Sequence, residues 1–491
     1  MTLTDNLRRQ LDNPNLTTNE RALIRCRAAA DLIHSGQYEK AGEALSELWR
    51  GVGVRPNVEG LEETTAAEVL LQAGALSGWI GASKRVAGAQ DAAKDLLSEA
   101  RRLFEAHGLQ ARVAEAGHEL SVCYWRAGAF DEARVILQEA ARRLSEKDFE
   151  QKAKIFIRST VVEISAGRYH DALKILDEAE SVIGFASDAL KGRWHGQRGV
   201  VLRRLSATEG RADYLDRAII EYTAASIHFE RAQHERYRGN AENNLAFLLF
   251  RLSRYKEAHE HLDRAQMIFT KLKDHGNLAQ VDETRARVLI EEGKYREAIR
   301  ISAGVTQTLE QIGEQALLAD ALIVQATAEA RLGRHAPSLQ TFDRAVTVAE
   351  QAGALESAGL ATLAMIEEHG ATRLSEEELY EAFTRAEVLL RRTQDAEAVS
   401  RLLASTRLIA RRLGVLSVGG GFDLAEALRR YEARFIRYAL RESGGRVTQA
   451  AKRLGITYQK LQYLLETRHR DLAPERMPAE KRLRSIVKKD V

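Results

Sequence analysis

The sequence has little proline, few aromatic residues and almost no cysteine. Among 491 residues there are only 5 prolines and 2 cysteines, and aromatic residues make up 6%. Ala, Leu, Arg and Glu dominate, which favours long stacked helices over sheets. A chain of this length is too long for one ordinary hydrophobic core, so we expect several domains or a repeat architecture.

Sequence features of secreted, zinc-binding and membrane proteins are missing as well. Cys26 and Cys123 lie far apart, and neither has a CxxC neighbour or a nearby histidine pair, which excludes a disulfide scaffold and a zinc site of that kind. The first residues, MTLTDNLRRQLDNPNL, lack the apolar core of a signal peptide, and no run of about 18 apolar residues is present to span a bilayer. These absences predict a soluble protein of a reducing compartment without membrane contact.

Motifs of catalytic sites are also absent. The sequence contains no GxxxxGK[ST] phosphate loop, HExxH or GxSxG, and no GxGxxG that opens a helix after a strand. The segment HEHLD at His259 belongs to a repeat helix. We therefore expect no enzyme, with no catalytic residue, no metal site and no cofactor.

Charge is distributed unevenly along the chain. The formal net charge is only +3, yet residues 422–491 hold 17 Lys and Arg against 9 Asp and Glu, which leaves 56 basic and 61 acidic residues for the rest. A basic segment attached to a neutral or acidic body is the usual electrostatic mark of nucleic-acid binding.

The strongest signal is an internal repeat, in which a small residue and an aromatic residue precede Ala, Leu and Ala at helical spacing. The clearest copies are GAFDEARVILQEA from Gly128, GRYHDALKILDEA from Gly167, SRYKEAHEHLDRA from Ser253 and GKYREAIRISAGV from Gly293. Weaker copies begin at Gly36, Gly88 and Gly333, and YLDRAIIEYTAA from Tyr214 follows an apparent insertion, SATEGRAD. From Gly88 to Gly333 the copies lie 39 or 40 residues apart, except for the interval of 86 that contains the Tyr214 copy.

Each copy predicts the second half of a helical hairpin. In GRYHDALKILDEA, Gly167 permits a tight turn between two helices and Tyr169 packs at the start of the second. Ala172, Leu176 and Ala179 follow at spacings of four and three, so they share one face of that helix. Because a single hairpin cannot bury its apolar face, such hairpins stack into an array.

This pattern resembles the tetratricopeptide family over roughly residues 20–390. The resemblance implies an all-α fold with a right-handed superhelical array of hairpins. The commonest tetratricopeptide unit has about 34 residues, whereas this chain repeats near 40, which implies longer helices, similar to those in the sensor regions of peptide-responsive and MalT-like bacterial regulators. We place this sensor or protein-interaction array at 18–412, after an N-terminal extension at 1–17.

The resemblance also implies that the first helix of each hairpin lines the inner groove, where a peptide or protein ligand would bind. Side-chain amides and guanidinium groups hydrogen-bond the backbone of an extended peptide. The candidate groove residues are Gln197, Arg198, Asn240, Asn243, Asn244, Thr284 and Arg285. The same residue types also suit solvated or capping positions, and the sequence leaves both possibilities open.

After the array, the run Gly419, Gly420 and Gly421 is unfavourable within a helix and predicts a Gly-rich linker at 413–423. A long amphipathic helix is then expected from Leu424 to Glu442, where the segment SGG ends it. Its predicted apolar stripe comprises Leu424, Ala427, Leu428, Tyr431, Phe435, Ala439 and Leu440.

The next segment, RVTQAAKRLGITYQKLQYLLETRHRDL from Arg446, predicts a helix, a turn and a second helix. Gly455 allows the bend, Ile456 fills the core between the helices, and Thr457 is placed to cap the second helix. The residues expected to face inward are Ala450, Ala451 and Leu454 on the first helix and Leu461, Leu464 and Leu465 on the second.

This segment and the long helix before it resemble the Fis-type DNA-binding domain found at the C-terminus of NtrC-type activators. The matching residues are Glu432, Ile436, Gly444, Ala450, Ala451, Leu454, Gly455, Ile456, Leu461 and Leu465. The resemblance covers about 50 residues, and we place the domain at 424–472. It implies a homodimer paired through the long helices, which contacts half-sites about 34 Å apart.

The predicted recognition helix departs from that family in its DNA-facing residues. Recognition helices there often open with Ser-Arg, whereas this one has Thr457-Tyr458 and two glutamines. The DNA sequence that this helix binds therefore cannot be inferred from the family. Gln459 and Gln462 suit adenine edges, Lys460 suits guanine, and the tyrosines, Tyr458 and Tyr463, suit thymine methyl groups or phosphates of double-stranded DNA. The further DNA-binding candidates, mostly suited to phosphates, are Arg446, Thr448, Gln449, Lys452, Thr457, Arg468 and Arg470. An arginine-rich helix end is also common as a solvated surface.

The sequence therefore predicts a cytoplasmic bacterial DNA-binding transcription regulator, nucleoid-associated when bound to DNA, whose array binds a peptide, protein or small-molecule effector. The alternative is a scaffold protein whose C-terminal domain only dimerises. A basic, flexible tail is expected at 473–491, either as an arm along the DNA or as a solubilising segment.

Overall fold

A computed structural model of the protein describes residues 10–34, 36–84, 86–391, 393, 395–414 and 423–475. These residues form 22 α-helices and one short 3₁₀ helix, and no strand occurs among them. The predicted all-α repeat array with a small C-terminal helix-turn-helix domain is confirmed. The chain divides into two compact units, Met1–Ala410 and Arg411–Val491.

The array consists of antiparallel helix pairs. The first helices of the pairs are α1 (Thr18–His34), α3 (Glu63–Ser83), α5 (Gln110–Arg126), α7 (Phe149–Ser165), α9 (Asp188–Glu209), α11 (Glu235–Arg251), α13 (His275–Glu291), α15 (Gln315–Arg331) and α17 (Leu355–His369). The second helices are α2 (Tyr38–Ala44), α4 (Ala89–Ala106), α6 (Phe130–Arg142), α8 (Tyr169–Ile183), α10 (Asp213–Arg231), α12 (Tyr255–Leu272), α14 (Tyr295–Ile312), α16 (His335–Gln351) and α18 (Glu376–Leu390). A final helix, α19 (Ala396–Gly414), follows the last pair.

The second helices begin where the repeat predicts. In the four clearest copies the first helical residue is the aromatic one, namely Phe130, Tyr169, Tyr255 and Tyr295. The predicted apolar face is buried as well, since Ala172, Leu176 and Ala179 are fully enclosed in the core between neighbouring helices. The insertion SATEGRAD lengthens α9 to Glu209, and Gly210 ends this helix in the left-handed conformation.

A residue with positive φ closes each turn of the central array, and these residues recur every 20 positions. They are Gln233, Ser253, Lys273, Gly293, Gly313, Gly333 and Gly353. Because L-residues with a side chain pay a steric cost in this conformation, glycine is the expected residue. The 40-residue repeat is thus two equal halves, each a helix of 17 to 19 residues and a short turn.

The first hairpin departs from the repeat. Its second helix, α2, has only 7 residues, and the chain from 45 to 62 connects it to α3 without further α-helix. Trp49 anchors this connection because its ring is buried and its Nε1 donates a hydrogen bond to the carbonyl oxygen of Val54 at 3.0 Å. The longer interval between the copies at Gly36 and Gly88 corresponds to this connection.

The array curves enough for distant parts of it to meet. Arg204 of α9 pairs with Asp395 at 2.7 Å, and Arg251 at the end of α11 pairs with Glu397 of α19 at 2.8 Å. At the other end of α11, the guanidinium of Arg236 lies 3.6 Å from where a side chain on Gly36 would begin. Helix α11 therefore contacts both the start and the end of the array.

The C-terminal unit contains α20 (Leu424–Glu442), α21 (Val447–Arg453), α22 (Tyr458–Glu466) and the 3₁₀ helix Arg470–Glu475. The 3₁₀ helix includes residues 473–475, the first three of the predicted tail. Residues 415–422 of the predicted linker and residues 476–491 of the tail lie outside the described residues. None of the helices described is long and apolar enough to cross a membrane.

The turn at Ser253 gives a direct test of the repeat geometry. Ser253 has a φ of +58°, whereas the equivalent Gly293 has +76° with open space around it. Glycine removes the steric cost of the left-handed conformation, and this gain exceeds the cost of the extra conformational entropy that glycine gives the unfolded chain. Ser253→Gly should therefore raise the free energy of unfolding, measured by urea denaturation, by about 0.5–1 kcal/mol. The matched reverse change, Gly293→Ser, should lower it by about 1 kcal/mol. A Ser253→Gly protein less stable than the natural one would contradict this explanation.

Candidate functional site

The recognition helix α22 is fixed to the C-terminal unit by its apolar side. The core of this unit consists of Ile436, Ala439, Leu440, Ala450, Ala451, Leu461, Leu464, Leu465 and Leu472. The predicted partners Leu454 and Ile456 pack against it while remaining partly accessible. All six residues predicted to face inward thus lie in or against one core, and the opposite side of α22 is left to solvent.

The turn between α21 and α22 is built as the sequence predicts. Gly455 adopts a φ of +66°, and the N–H of Ile456 donates to the carbonyl oxygen of Ala451 at 3.1 Å, which closes the end of α21. Thr457 then caps α22, because its Oγ1 accepts a hydrogen bond from the N–H of Lys460 at 3.2 Å. This capping sets where α22 begins and therefore which side chains its outer face carries.

The outer face of α22 carries the predicted base-contacting residues. Tyr458, Gln459, Lys460 and Tyr463 are exposed, and 65% of Tyr463 is accessible. Gln462 is only half-buried, and its amide donates a hydrogen bond to Glu466 at 3.0 Å. The face combines amide, ammonium and phenol groups without a carboxylate at its centre, which suits contact with base edges and phosphates.

The residues predicted to bind phosphates divide into two groups. Arg446, Thr448, Gln449 and Lys452 are exposed on and just before α21. Two arginines follow α22 and already have partners within the unit. Arg468 donates from Nη1 to Glu432 at 3.0 Å, and Arg470 donates from Nε to the carbonyl oxygen of Glu466 at 2.7 Å.

Glu432 ties the long helix α20 to the end of α22. Its carboxylate accepts hydrogen bonds from Arg468 and from Nε2 of His469, the latter at 2.9 Å, and His469 is 1% exposed. Burial alone would raise the pKa of Glu432, but the hydrogen bonds from His469 and Arg468 outweigh burial and lower this pKa. The sequence analysis identified Glu432 through family resemblance but missed His469, since a single histidine gives no pattern.

The apolar stripe predicted for α20 is divided between two faces. Ala439 and Leu440, together with Ile436, are buried in the core of the unit. The predicted residues Leu428, Tyr431 and Phe435 are exposed instead, and Tyr438 joins them. The stripe was therefore too broad, because one side of α20 packs against α21 and α22 while the other side, with spacings of three, four and three, faces solvent. The side chains of Leu424 and Ala427 lie outside the described residues.

The residues predicted for the groove of the array differ in their accessibility. Gln197, Asn240, Asn243 and Asn244 are half-buried on first helices, and the Oδ1 atom of Asn243 has no hydrogen-bond partner among the described residues. Thr284 is buried, and its hydroxyl donates to the carbonyl oxygen of Gln280 at 3.0 Å. Thr284 thus packs within the array, and its place in the groove stays a prediction.

The two arginines predicted for the groove are held by acidic residues of second helices. Arg198 pairs with Asp177 at 3.0 Å and with Glu221 at 3.4 Å. Arg285 pairs with Asp263 at 2.7 Å and lines an open cavity of about 580 Å³ between α12, α13 and α14. Both guanidinium groups therefore already have carboxylate partners within the array.

A smaller cavity lies on the side where first helices converge, and the sequence analysis missed it. Its lining comes from α1, α2, α3, α5, α7, α9 and α11, and includes Trp79, His118, Arg158, Arg193 and Tyr237. These residues lie about one repeat or more apart and become neighbours only through the curvature of the array. No short-range pattern in the sequence marks them.

Comparison with known families agrees with both resemblances. Residues 237–303 match the model of a tetratricopeptide repeat, and residues 427–466 match the model of the bacterial regulatory protein, Fis family. The chain thus carries tetratricopeptide repeats and a C-terminal Fis-type helix-turn-helix domain, as predicted. No curated protein sequence matches the chain.

Among solved structures, the apo form of RapI superposes with a TM-score of 0.50 at 14% sequence identity, covering 79% of this chain and 98% of that one. The apo form of the quorum sensor NprR from B. thuringiensis gives a TM-score of 0.49 at 14% identity, covering 70% and 92%. NprR in complex with its cognate peptide NprX gives 0.43 at 15% identity, covering 73% and 98%. At these identities the likeness concerns the fold of the array alone.

The Glu432 contact leads to a test of how the recognition helix is held. Glu432→Gln should destabilise the C-terminal unit locally by about 1 kcal/mol at pH 7, because a charge-assisted hydrogen bond pair is lost. Faster amide hydrogen exchange at Leu461, Leu464 and Leu465 in the full-length variant would show this loss. The control Glu426→Gln removes a carboxylate whose partners, Arg429 and Arg430, lie on α20 itself. It should leave exchange in α22 unchanged.

The stabilisation that Glu432 provides should be lost at low pH. Because the pKa of Glu432 is lower in the folded protein, its stabilising contribution is complete above the unfolded-state pKa, near 4.3, and disappears as the pH falls through the folded value. The difference between the natural protein and Glu432→Gln should therefore persist from pH 7 to pH 5 and vanish in stronger acid. Equal exchange in both proteins at pH 7 would refute the role given to Glu432.

Proposed function

We propose that this protein is a sequence-specific DNA-binding transcription regulator of the bacterial cytoplasm, and not an enzyme. In this proposal α22 enters the major groove of double-stranded DNA, and the array binds a peptide, protein or small-molecule effector. The observation that carries the proposal is the division of α22 into two sides. Its leucines are buried in the unit, whereas its amide, ammonium and phenol groups are exposed.

The proposed contacts follow from the chemistry of the exposed groups. Gln459 and Gln462 offer paired donor and acceptor atoms for adenine, and Lys460 offers a donor for the acceptors of guanine. Gln462 has to exchange its hydrogen bond to Glu466 for one to a base. Exposed cations of α21, Arg446 and Lys452, are proposed to neutralise phosphates, which fixes the position of α22 in the groove without selecting a sequence.

We further propose that two copies pair through the exposed apolar face of α20. Leu428 and Phe435 are 60% and 61% exposed, and Tyr431 and Tyr438 share their side of the helix. The spacings of three, four and three are those of a helix-helix seam, in which such residues are buried against a second helix. A second copy is the proposed occupant because the same seam on a two-fold partner is self-complementary and would place two α22 helices on one DNA duplex.

DNA binding is tested by gel shifts of the full-length protein on genomic fragments at increasing salt. Gln459→Ala and Lys460→Ala should each weaken binding to a preferred fragment by roughly 10- to 100-fold, since each base contact discriminates by about 1–3 kcal/mol. Arg446→Ala should instead weaken binding to all fragments alike and reduce the salt dependence by about one released ion. The exposed array residue Lys174, with 77% of its side chain accessible, provides the control Lys174→Ala, which should bind normally.

One outcome of this experiment favours the competing function, a scaffold whose C-terminal unit only dimerises. Binding that falls steeply with salt but ignores both the fragment sequence and the substitutions at Gln459 and Lys460 would mean that no base is recognised. The regulator proposal would then be abandoned.

Dimerisation is tested by sedimentation or light scattering at micromolar concentration. Phe435→Glu should convert a particle of twice 54.8 kDa into one of 54.8 kDa, because a carboxylate in the apolar seam remains unpaired when buried. Arg429→Glu places the same charge on an exposed position of α20 that has no spacing of three or four to any seam residue, and it should leave the dimer intact. A natural protein that stays at 54.8 kDa both alone and on DNA would contradict the proposed pairing.

A further inference from the structure

Arg158 is a buried cation without an anionic partner. It lies on α7, is 6% exposed, and makes no hydrogen bond or ion pair with any residue that the structure describes. The ring centre of Trp125 lies 5.5 Å from its guanidinium carbon. Burial, reinforced by the charge of Arg193, lowers the pKa of Arg158 to about 10. A buried guanidinium costs several kcal/mol unless it is paired, so its environment calls for an anion.

The charges around Arg158 leave the surrounding cavity positive. Arg193 also lines the cavity, and its positive charge acts on Arg158. Two carboxylates line the cavity as well, but each has a partner. Glu115 is bonded by Arg112, and Glu119 lies 3.1 Å from Nδ1 of His118. Neither carboxylate pairs with Arg158 directly, although the charge of Glu119 partly offsets that of Arg158.

A histidine in the wall adds a second buried atom that lacks a partner. With Nδ1 directed to Glu119, the Nε2 atom of His118 is buried and has no hydrogen-bond partner in the described structure. Native proteins leave few buried polar atoms unsatisfied, and such atoms cluster where a ligand or water completes the contacts. His118 and Arg158 line the same cavity and so point to one missing group.

The cavity has a size and an aromatic wall suited to a small anionic group on a larger ligand. Its volume is about 110 Å³, and it lies where the first hairpin meets α11. Tyr38 and Trp79 form one wall, with ring centres 5.1 Å apart and planes inclined by 9°. Arg126 covers the Trp79 ring at 4.0 Å and donates to the carbonyl oxygen of Gly78, which holds this wall in place.

We propose that this cavity, lined by Arg158, Arg193, His118, Tyr38, Trp79 and Tyr237, is an anion-binding site of the array that takes the carboxylate or phosphate group of a ligand. The guanidinium groups pair with the oxygen atoms of the anion, and the aromatic wall packs against the part of the ligand next to it. The inference rests on the proposed function only where it identifies this ligand as the effector, whose chemical class would then be an anion. The binding of an anion to the cavity does not depend on that function.

The site is tested on the full-length protein without DNA, by thermal unfolding in sodium phosphate, sodium acetate and sodium chloride at equal ionic strength. Phosphate or acetate at saturating concentration should raise the Tm by about 1–3 °C over chloride. Because phosphate also stabilises folded proteins without binding at a site, each response is counted as the part that the variant Arg158→Met loses. A larger lost response to phosphate identifies a phosphorylated ligand, and a larger lost response to acetate identifies a carboxylate such as a peptide C-terminus. Equal Tm values in all three salts would overturn the proposal.

Substitutions separate a binding role of Arg158 from a structural one. Arg158→Met keeps an unbranched stem but removes the unpaired charge, so the variant should unfold in chloride at the natural Tm or above it and should lose the site-specific part of the anion response. Arg331 also lies on a first helix, but it is paired with Glu291 and Glu368, so Arg331→Met should keep the full response. An unchanged response in Arg158→Met would overturn the proposal.

A second variant covers the possibility that Arg158→Met fails to fold. Arg193 is less buried than Arg158, and Arg193→Met should weaken the anion response at least several-fold. A folded Arg193→Met protein with the natural response would contradict the site. Because none of these measurements involves DNA, the anion site and the DNA-binding proposal can fail independently of each other.

Discussion

The array depends on how closely the two helices of each hairpin approach. At several positions a glycine on the first helix receives an aromatic ring from the second. A Cβ atom on Gly239 would lie 2.6 Å from the ring of Phe269, and one on Gly192 would lie 2.7 Å from Phe229. Real Cβ atoms do not reach such distances, so the ring occupies the volume that a side chain would need. This contact between glycine and ring lets the two helices of a hairpin pack closely. Closely packed hairpins can stack on one another, and stacking buries the apolar face of each hairpin.

In the C-terminal unit, residues with different roles occupy different sides of the same short helices. Leu461 and Leu465 hold α22 in the core, whereas Gln459 and Lys460 lie outside it. One side of the long helix α20 packs in the core, and the other side carries exposed apolar residues. A change of the outer residues of α22 is therefore compatible with an unchanged core, which explains how the turn and leucine pattern of a Fis-type domain can coexist with an unusual outer face.

Local features of the fold were predictable from the sequence, whereas the sites that depend on curvature were not. Gly167 with Tyr169 marks the start of a helix, and Thr457 marks a cap, because turns and caps are decided by a few neighbouring residues. The division of α20 into two faces depends on where α22 packs, so the single stripe predicted there was too broad. Arg158 resembles the other arginines of the array in sequence, and only the approach of neighbouring helices in the folded array shows that it is buried without a direct partner. Thr284 shows the converse, since packing turns its hydroxyl toward the carbonyl oxygen of Gln280 in its own helix.

The ion pairs of Arg204 with Asp395 and of Arg251 with Glu397 have a mechanical consequence. They join the last helix of the array to its middle, yet their side chains are a quarter to a half exposed, so each is worth at most about 1 kcal/mol. The hairpins between them are held by continuous cores of far greater free energy. The hairpins are thus far more stable than the two ion pairs that join the end of the array to its middle. A change in the pitch of the array would break these ion pairs before any hairpin unfolds.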